Sequence, residues 1–504
     1  MNDRMTGGSR RKRPMGRLLA VPVILALLSG CVSTAGLHPQ ATQLSADELQ
    51  TSRTLGTRGA GEWPTENWWS RLGDPQLSGL MAEAFEHSPD LVAADARARQ
   101  ASAQAAAADA QRGPRVDANV QLNGQRQSPS TWPAESGGGT FGWSHSADVG
   151  FSWGLDLWGG QRAAWLATLG QMQVAQIETQ AARIQLSTHV ARAYTQLGQA
   201  FIHLDICDTE RRRAEEVLTL TRQRQAQGLD GDLQRQQAEG ALTNASQQIA
   251  VAERSVMAAR MALAILIGRG PDRGLEIARP SMLPAEPLSV PADLPGELLG
   301  RRADLVAARK QVEVAARRID AAKAQFLPNV SVTALIGFAA QSSANLFSLA
   351  NRQYQIAPAF NLPIFDAGRL RAGLAEQDAL YDQAVAHYNK TLISALGEVA
   401  EHLDAMQSLR RQINIQRHVM ALAQASWDIA KQRYRSGVGS YLEVLSAQQP
   451  LLDAEQKAAT LNAEQIDLSV RLIGALGGGF RTEQQSPVAA TGESTSNSSF
   501  KELP

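Results

Sequence analysis

The side chains of this chain that could carry out chemistry are few and scattered. It has two cysteines, Cys31 and Cys207, and 8 histidines among 504 residues. A nucleotide-binding Gly-Lys-Ser/Thr loop and a His-Glu-x-x-His zinc motif are both absent from the sequence. The sequence therefore predicts a protein that is not an enzyme, with no cofactor, no metal site and no catalytic residues.

Cys31 is a candidate for chemical modification, because it follows an export signal. Basic residues precede an apolar run from Leu18 to Leu28, which is too short to span a bilayer. The segment Leu28-Ser29-Gly30-Cys31 resembles the bacterial lipobox, which implies cleavage before Cys31 and acylation of its thiol and new amino group. An ordinary secretory cleavage beside an incidental cysteine is the alternative.

The mature chain is mildly acidic. Removal of residues 1–30 takes away six basic residues and one acidic residue, so the formal charge changes from 0 to −5. This charge gives no reason to expect nucleic acid as a partner. Cys207 lies in a helical pattern, where a lone cysteine is typically a small apolar core residue.

The chain contains an internal duplication. Asp90-Leu91-Val92-Ala93-Ala94 returns 214 residues later as Asp304-Leu305-Val306-Ala307-Ala308. Further along, the offset is 209 residues: Gln223-Arg224 returns as Gln432-Arg433, and Gly228 returns as Gly437. A period this long indicates a duplicated domain, and each copy has the pattern helix, strand, strand, long helix, long helix.

Four segments alternate between apolar and polar residues with the period of a β-strand. They are Val116–Leu122, Ala147–Leu157, Val330–Phe338 and Tyr354–Leu362, and Pro358 and Pro363 are expected at a strand edge, kink or end. A soluble sandwich would give the same pattern. In a membrane, however, four strands cannot close on themselves, so two copies would give a filled barrel of eight strands and three a conducting barrel of twelve.

Two proline-free stretches, 161–227 and 369–436, have the three-four spacing of long coiled-coil helices, each about 100 Å long. Each ends at a glycine-containing turn, 227–231 or 435–439, after which a second long helix returns. The sequence therefore predicts one antiparallel helical hairpin in each copy.

These residues, together with several short motifs, resemble the TolC-like outer-membrane factors, in particular the lipid-anchored branch of multidrug efflux pumps. The motifs are Trp68-Trp69, Gly73-Asp74-Pro75-Gln76-Leu77, Ser88-Pro89-Asp90-Leu91, Arg301-Arg302-Ala303-Asp304-Leu305, Phe326-Leu327-Pro328 and Arg433-Tyr434-Arg435-Ser436-Gly437. The resemblance implies a mainly α-helical protein with four transmembrane strands per chain. It also implies a homotrimer, in which a twelve-stranded β-barrel in the outer membrane continues as a periplasmic α-helical tunnel.

The resemblance further implies partners and a gate. The partners are outer-membrane lipid, a periplasmic adaptor (membrane fusion protein) and an inner-membrane transporter of the RND type. The periplasmic tip and gate would include Gly228, Asp230, Asp232, Tyr434, Gly437 and Glu443. Three positions depart from the family pattern: Gly439 replaces a basic residue, Ser446 replaces the second gate acid, and Pro450 would kink its helix. Acidic residues in the first turn of a helix are also ordinary partners of the helix dipole, which is the alternative role for Asp230 and Asp232.

The expected function is a passive trimeric duct of a tripartite efflux system. The predicted divisions are a signal peptide (1–30), a lipidated tether (31–67), a first repeat (68–270), a linker (271–300), a second repeat (301–480) and a disordered tail (481–504). A lipid-anchored periplasmic adaptor or structural tether is the alternative, although it would lack the two strand pairs. A lipid-anchored hydrolase is the enzymatic alternative.

Overall fold

The computed structural model describes residues 33–45, 48–49, 51–55, 62–131, 133, 135, 138–281 and 294–481. The predicted signal peptide, Cys31 and nearly all of the predicted C-terminal tail lie outside these residues.

The described elements follow the same order twice. The first copy contains α1 (Pro75–His87), α2 (Pro89–Ala110), β1 (Arg115–Arg126), β2 (Phe141–Leu155), α3 (Gly160–Ala226) and α4 (Asp232–Leu266). The second contains α5 (Leu294–Arg301), α6 (Ala303–Ala324), β3 (Asn329–Ala340), β4 (Arg352–Asn361), α7 (Arg369–Arg435) and α8 (Tyr441–Ala475). Short helical turns at Ser52–Leu55, Trp68–Leu72 and Asp272–Leu275 accompany them.

Three of the four pairs of corresponding helices have equal lengths, whereas α1 has 13 residues and α5 has 8. The helices α2 and α6 have 22 residues each, α3 and α7 have 67, and α4 and α8 have 35. The predicted duplication of a helix-strand-strand-helix-helix unit is therefore confirmed. None of the helices in the described part of the chain is long and apolar enough to cross a membrane.

The long helices form where the sequence has apolar residues at three-four spacing and no proline. Leu186, Val190 and Leu197 of α3 are buried, as are Leu392, Val399 and Leu403 of α7. In α8, the helix continues through Pro450 from Tyr441 to Ala475. Proline lacks an N–H group, so the carbonyl group of Ser446, four residues earlier, loses its usual helical donor there.

The four strands form one antiparallel sheet in the order β1-β2-β3-β4. Directly paired residues share a face, and the register places Val116, Phe151, Ala334 and Ile356 in one row. The next row, on the opposite face, contains Asp117, Gly150, Leu335 and Gln355. The sheet therefore has one apolar face and one mainly polar face, as the alternation predicted.

The apolar face of the sheet is exposed in the single chain. The exposed fractions are 75% for Val120, 78% for Tyr354 and 76% for Ile356. Within the described residues, β1 and β4 each pair with one neighbour only, so each has an open edge. Pro358 lies on β4 opposite Val332, and Pro363 follows the end of that strand. In the single chain β4 is an edge strand, where a proline is tolerated, and Pro363 follows a strand end, as expected.

The chain forms two compact units, and each takes residues from both copies. The first unit contains the described residues up to Leu44 together with Ala96–Gln176 and Ala308–Asn389, and so includes the sheet. A small core of Ile319, Phe326, Leu370 and Leu374 lies in this unit.

The second unit contains Ser45–Asp95, Ile177–Ala307 and the described residues from Lys390 onwards. Its main core includes Trp68, Leu77, Tyr194 and Leu263, each at most 2% exposed. Trp68 and Trp69 are both packed in this core, with exposed fractions of 2% and 8%.

Candidate functional site at the tips of the helical hairpins

The tip of the first hairpin is a turn that a glycine makes possible. The turn joins α3, which ends at Ala226, to α4, which begins at Asp232. Gly228 has a φ of +73°, in the left-handed region that favours glycine. The N–H of Leu229 donates to the carbonyl oxygen of Arg224 at 2.9 Å, which closes the end of α3.

The tip of the second hairpin repeats this geometry. Gly437 has a φ of +80°, and the N–H of Val438 donates to the carbonyl oxygen of Arg433 at 3.1 Å. Ser440 and Glu443 form a capping box at the start of α8: each side chain accepts a hydrogen bond from the backbone N–H of the other, at 3.3 and 3.4 Å. The predicted glycine turns are therefore both present, 209 residues apart.

Asp230 at the first tip is the centre of a hydrogen-bond network. Arg224 donates to both of its carboxylate oxygens, from Nε at 2.8 Å and from Nη2 at 3.3 Å. The hydroxyl of Tyr434, from the second copy, donates to Oδ2 of Asp230 at 2.6 Å. The side chains of Arg224 and Asp230 are only 10% and 9% exposed. This is a buried, bidentate ion pair with a third partner.

The same network joins the two hairpins. Arg224 Nη1 donates to the carbonyl oxygen of Tyr434 at 2.8 Å, and the guanidinium carbon lies 4.4 Å from the centre of the Tyr434 ring. The hydroxyls of Tyr434 and Thr221 lie 3.0 Å apart, within hydrogen-bond distance. The end of α3 is thereby fastened to the end of α7 by groups that are all buried.

Burial and charge shift the pKa values of this network. Burial alone would raise the pKa of Asp230, but the hydrogen bonds from Arg224 and Tyr434 outweigh it and lower the pKa below its usual 3.8. Burial, and then the hydrogen bond to Asp230, raise the pKa of Tyr434 to about 12. Asp230 is therefore charged and Tyr434 neutral at physiological pH.

The sequence prediction named Asp230, Tyr434 and Gly228, and the structure brings the first two into direct contact. It did not name Arg224 or Thr221, which complete the network. The sequence signal for Arg224 was its place in the duplicated Gln223-Arg224 pair. Its partner across the network, Tyr434, lies 210 residues away along the chain.

Glu443, the predicted gate acid, lies at the second tip and is more exposed than Asp230. Its carboxylate lies 3.2 Å from Nε of Arg433, and the two side chains are 45% and 51% exposed. The hydrogen bond from Arg433, and then that from the Ser440 backbone, lower the pKa of Glu443. Its charge is balanced within its own chain in this conformation.

The three departures from the family pattern cluster around Glu443. If Gly439 were replaced by a residue with a side chain, the new Cβ would lie 2.9 Å from Cβ of Arg433 and 3.1 Å from a carboxylate oxygen of Glu443. In this conformation a basic residue at position 439 would therefore collide with the Arg433–Glu443 pair. Ser446 and Pro450 line a shallow groove with Glu443.

Asp232 is an exposed residue in the first turn of α4. Its carboxylate accepts a hydrogen bond from Gln225 at 2.9 Å and lies 3.6 Å from Arg235. An acid in this position interacts favourably with the helix dipole. The structure thus places Asp232 at the tip but outside the Asp230 network.

Four large apolar residues are exposed at the tips. Leu229 and Leu233 belong to the first tip, and Val438 and Leu442 occupy the corresponding places in the second. Their exposed fractions lie between 58% and 71%. Both copies therefore present an apolar pair to solvent.

No second site for chemistry appears in the described residues. Gly150-Phe151-Ser152-Trp153-Gly154 matches the Gly-x-Ser-x-Gly pattern of serine hydrolases. Ser152 lies inside β2, however, between Arg115 of β1 and Thr333 of β3, and not on the strand-to-helix turn that such a nucleophile requires. Among the described residues, no group of His, Cys, Asp or Glu side chains could hold a metal ion.

Comparison with known families identifies the architecture. The profile of the family described as "Outer membrane efflux protein" matches residues 80–269 and 294–478, nearly the whole of both copies. The chain belongs to the outer membrane efflux protein family. This efflux protein is therefore an outer-membrane protein, and the predicted relation to the TolC-like factors is confirmed.

Curated relatives are similar over nearly their full length. The multidrug resistance outer membrane protein MdtP of Shigella flexneri is 30% identical over 479 residues, which are 93% of this chain and 98% of MdtP. The pyoverdine export outer membrane protein OpmQ of Pseudomonas aeruginosa is 30% identical over 465 residues, 91% of this chain and 96% of OpmQ.

Solved structures share the fold. The outer membrane protein VceC of Vibrio cholerae is 33% identical with a TM-score of 0.77, over 83% of this chain and all of VceC. The open state of the MtrE outer membrane channel of Neisseria gonorrhoeae is 25% identical with a TM-score of 0.74, over 89% of this chain and all of MtrE. These relatives are named as efflux and channel proteins rather than enzymes, and the adaptor alternative for this efflux protein is not favoured.

Proposed function

We propose that this efflux protein is a passive homotrimeric duct, in which the sheets of three chains close into a twelve-stranded barrel and the hairpins form a helical tunnel. The observation that carries the proposal is the sheet itself. Its apolar face is exposed and its two outer strands have open edges. In a bilayer an open strand edge costs several kcal/mol for each unpaired group, so the sheet must be completed by other copies.

The number of copies follows from the size of the barrel. Two sheets of four strands would give eight, which side chains fill, whereas three give twelve and leave a lumen. The polar face, with Asp117, Asn119 and Asp148, would then line the lumen. The apolar face, with Val120 and Ile356, would contact lipid.

The helices also leave apolar stripes for neighbouring copies. On α7, Ile415, Val419, Leu422 and Ile429 are exposed at the four-three-seven spacing of a coiled-coil seam. Within the described residues no element of the chain covers this stripe. A second copy of the same chain is the partner that would bury it in a closed ring of helices.

The tips would contact the rest of the efflux system. The exposed pairs Leu229 with Leu233 and Val438 with Leu442 offer an apolar surface for a periplasmic adaptor. An inner-membrane transporter of the RND type would supply the energy. Acylation of Cys31 would add a lipid anchor in the outer membrane.

The tip residues Gly228, Asp230, Asp232, Tyr434, Gly437 and Glu443 would form the periplasmic gate. The Arg224–Asp230–Tyr434 network would hold the two hairpins of one chain together in the conformation described above. Glu443 is the exposed acid, and three copies of it around a narrow opening would attract cations. Breaking the Arg433–Glu443 pair would release that charge.

The test is conductance of the purified full-length protein in planar bilayers. We expect cation-preferring pores whose preference falls in Glu443→Gln and is unchanged in Glu464→Gln, an exposed acid on the same helix. Heat-modifiable trimers in outer-membrane fractions and a lipid mass on Cys31 would support the assembly. A stable monomer that opens no pores would refute the duct.

A further inference from the structure

The register of the sheet separates its charged residues by face. Three basic residues lie on the apolar face: Arg126 in β1, His145 in β2 and Arg352 in β4. Each is an even number of residues from a member of the apolar row in its own strand, which assigns it to that face. In the described strands this face carries no acidic residue, whereas Asp117 and Asp148 lie on the opposite face.

The three basic residues lie towards the same end of the sheet. β1 ends at Arg126, β4 begins at Arg352, and His145 is the fifth residue of β2. The helices attach at the other end, since α2 precedes β1 and α3 follows β2. In the proposed duct the helices are periplasmic, so these residues face the lipids of the outer leaflet.

The position of each basic residue along its strand fits the boundary of the hydrocarbon layer. Ten residues separate each of them from an apolar residue of the same alternation at the helix end, which is Val116 for β1, Leu155 for β2 and Leu362, directly after β4. With about 3.4 Å per residue and a tilt of about 40°, ten residues rise about 26 Å, close to the apolar band of about 25 Å in outer-membrane barrels. Each basic residue therefore lies where its strand reaches the lipid headgroups.

Aromatic side chains accompany the basic residues. Phe141 and Trp143, on the same face and at the same end of β2, stack edge-to-face with their ring centres 5.7 Å apart, and both are exposed. Tyr354, two residues after Arg352 on β4, is also exposed. Tryptophan and tyrosine are typical of the headgroup region of a membrane.

The positive charges have no counter-charge in their own chain. Arg126 and Arg352 are exposed, and neither forms an ion pair with a described residue. A cation at the edge of the hydrocarbon layer needs an anionic partner, and guanidinium groups bind phosphate through pairs of parallel hydrogen bonds. His145 adds a ring N–H donor. This chemistry fits the phosphate groups of a lipid.

The basic residues are too far apart for one phosphate group. Arg126 pairs with Phe141, which is four residues from His145, so the Cα atoms of Arg126 and His145 are about 14 Å apart. When three sheets close into a barrel, β4 of one chain lies beside β1 of the next. Arg352 of one chain and Arg126 of its neighbour are then on adjacent strands. The fitting headgroup carries two separated phosphates and lies across the boundary between two chains.

We propose that Arg126, His145 and Arg352 bind a glycolipid of the outer leaflet whose sugar headgroup carries two phosphates. The proposal rests on the proposed function, in which three sheets close into a barrel with the helices in the periplasm. The acyl chains of this lipid lie along the apolar face, beside Val120 and Ile356. Because its headgroup contacts two chains, the bound lipid stabilises the trimer.

The experiment measures lipid retention by full-length trimers in nanodiscs of phosphatidylcholine. The probe is an acylated glucosamine disaccharide with two phosphates, added as a minor component, and native mass spectrometry counts the lipid molecules that stay bound. We expect the parent to retain this probe at least about tenfold better than phosphatidylglycerol, which has a single phosphate of single charge. In Arg126→Gln/Arg352→Gln, retention of the probe should fall about tenfold or more, because charge-assisted hydrogen bonds are lost.

Two further variants control for charge and position. Arg115→Gln removes an arginine from the opposite face of β1 and should leave retention unchanged. Arg126→Lys/Arg352→Lys keeps both charges and should restore most of the retention. Equal losses in Arg115→Gln and the double glutamine variant, or full retention in the latter, would overturn the site. Equal retention of phosphatidylglycerol by the parent, a result that needs no variant, would overturn the match to a headgroup with two phosphates.

Heat dissociation of the trimer tests the position of the lipid between chains. The probe should raise the dissociation temperature of the parent and should not raise that of the double glutamine variant. A parent trimer that binds the probe without any gain in heat stability would overturn the placement across two chains. Pore conductance of the parent in bilayers without the probe tests the proposed duct separately.

Discussion

The two hairpin tips share a backbone and differ in their use of charge. In both, a left-handed glycine lies two residues after a 67-residue helix, and a 35-residue helix begins four residues after that glycine. At the first tip, the acid Asp230 is buried against Arg224 and Tyr434. At the second, the acid Glu443 is an exposed capping-box residue paired with Arg433.

This difference shows how a duplicated turn can take two roles. Arg224 and Arg433 are equivalent by the 209-residue offset, yet Arg224 pairs within a buried network and Arg433 pairs at the surface. The deciding position is the second residue after the glycine, which is Asp230 in one copy and Gly439 in the other. The first tip joins the hairpins through a buried ion pair, and the second carries an exposed ion pair.

Loss of Asp230 should have the largest effect. Asp230→Ala leaves Arg224 buried without its carboxylate, and breaking a buried ion pair in this way typically destabilises by about 3–5 kcal/mol. We expect local opening of the first tip, seen as faster hydrogen exchange at the end of α3. Asp232→Ala, at the same tip but exposed, should change stability by less than about 0.5 kcal/mol. Equal effects of the two substitutions would contradict the network.

Acidification should open the first tip as well, but less completely than the substitution. Because the folded-state pKa of Asp230 is lowered, its contribution is full above pH 3.8 and is lost as the pH falls through the lowered value. The fluorescence of Trp427, which is buried in the same cluster as Tyr434, provides the readout. A transition near neutral pH that disappears in Asp230→Asn would show that the carboxylate titrates in a different range.

A side chain at position 439 should disturb the second tip. Gly439→Ala introduces a Cβ within 2.9 Å of Cβ of Arg433, and overpacking of this kind costs about 1–3 kcal/mol. Thermal unfolding and hydrogen exchange at the start of α8 would report it. Gly240→Ala is the matched control, because nothing lies within 4 Å of its Cβ and alanine favours a helix by up to about 1 kcal/mol. Equal stability of Gly439→Ala and Gly240→Ala would show that the atoms near position 439 move aside without a loss of stability.

Glu443→Gln should leave the fold of the second tip intact. Glutamine can still occupy the third position of a capping box, and an exposed ion pair contributes little to stability. Hydrogen exchange of the tip should therefore stay the same while the reversal potential across a bilayer shifts towards lower cation preference. A destabilised tip with unchanged selectivity would make Glu443 a structural residue only.

A high salt concentration should produce the smallest effect, and the two tips should respond to it differently. At 1 M ionic strength the Debye length is about 3 Å, which screens the exposed Arg433–Glu443 pair but hardly affects a buried pair. Hydrogen exchange should increase slightly at the second tip and remain constant at the first. The opposite pattern would mean that the Arg224–Asp230 pair is open to solvent.

Sequence periodicity predicted the long helices well. The expected stretches 161–227 and 369–436 became Gly160–Ala226 and Arg369–Arg435, because a helical pattern without proline is a strong local signal. The limits of the strands were less accurate. The second strand was expected over Ala147–Leu157 and extends over Phe141–Leu155, although Phe141 and Trp143 continue the same alternation.

The candidate site was only partly predictable. Asp230 and Tyr434 were named from the resemblance to the TolC-like factors, and their hydrogen bond joins residues 204 positions apart. Arg224 was missed because its role depends on which helix end lies next to it. The gate itself, the lipid on Cys31 and the boundaries of the repeats remain predictions.

The sequence by itself determined the duplication, the two helical hairpins, the alternating strands and the glycine turns, because each is encoded by spacing over a few neighbouring residues. Only the tertiary structure decided which charges are buried. Arg224 and Arg433 occupy equivalent positions, and the local difference, Asp230 in one copy and Gly439 in the other, does not by itself show which arginine is buried. The ring of Tyr434 covers one and solvent surrounds the other, since burial is set by the packing of helices that are distant along the chain.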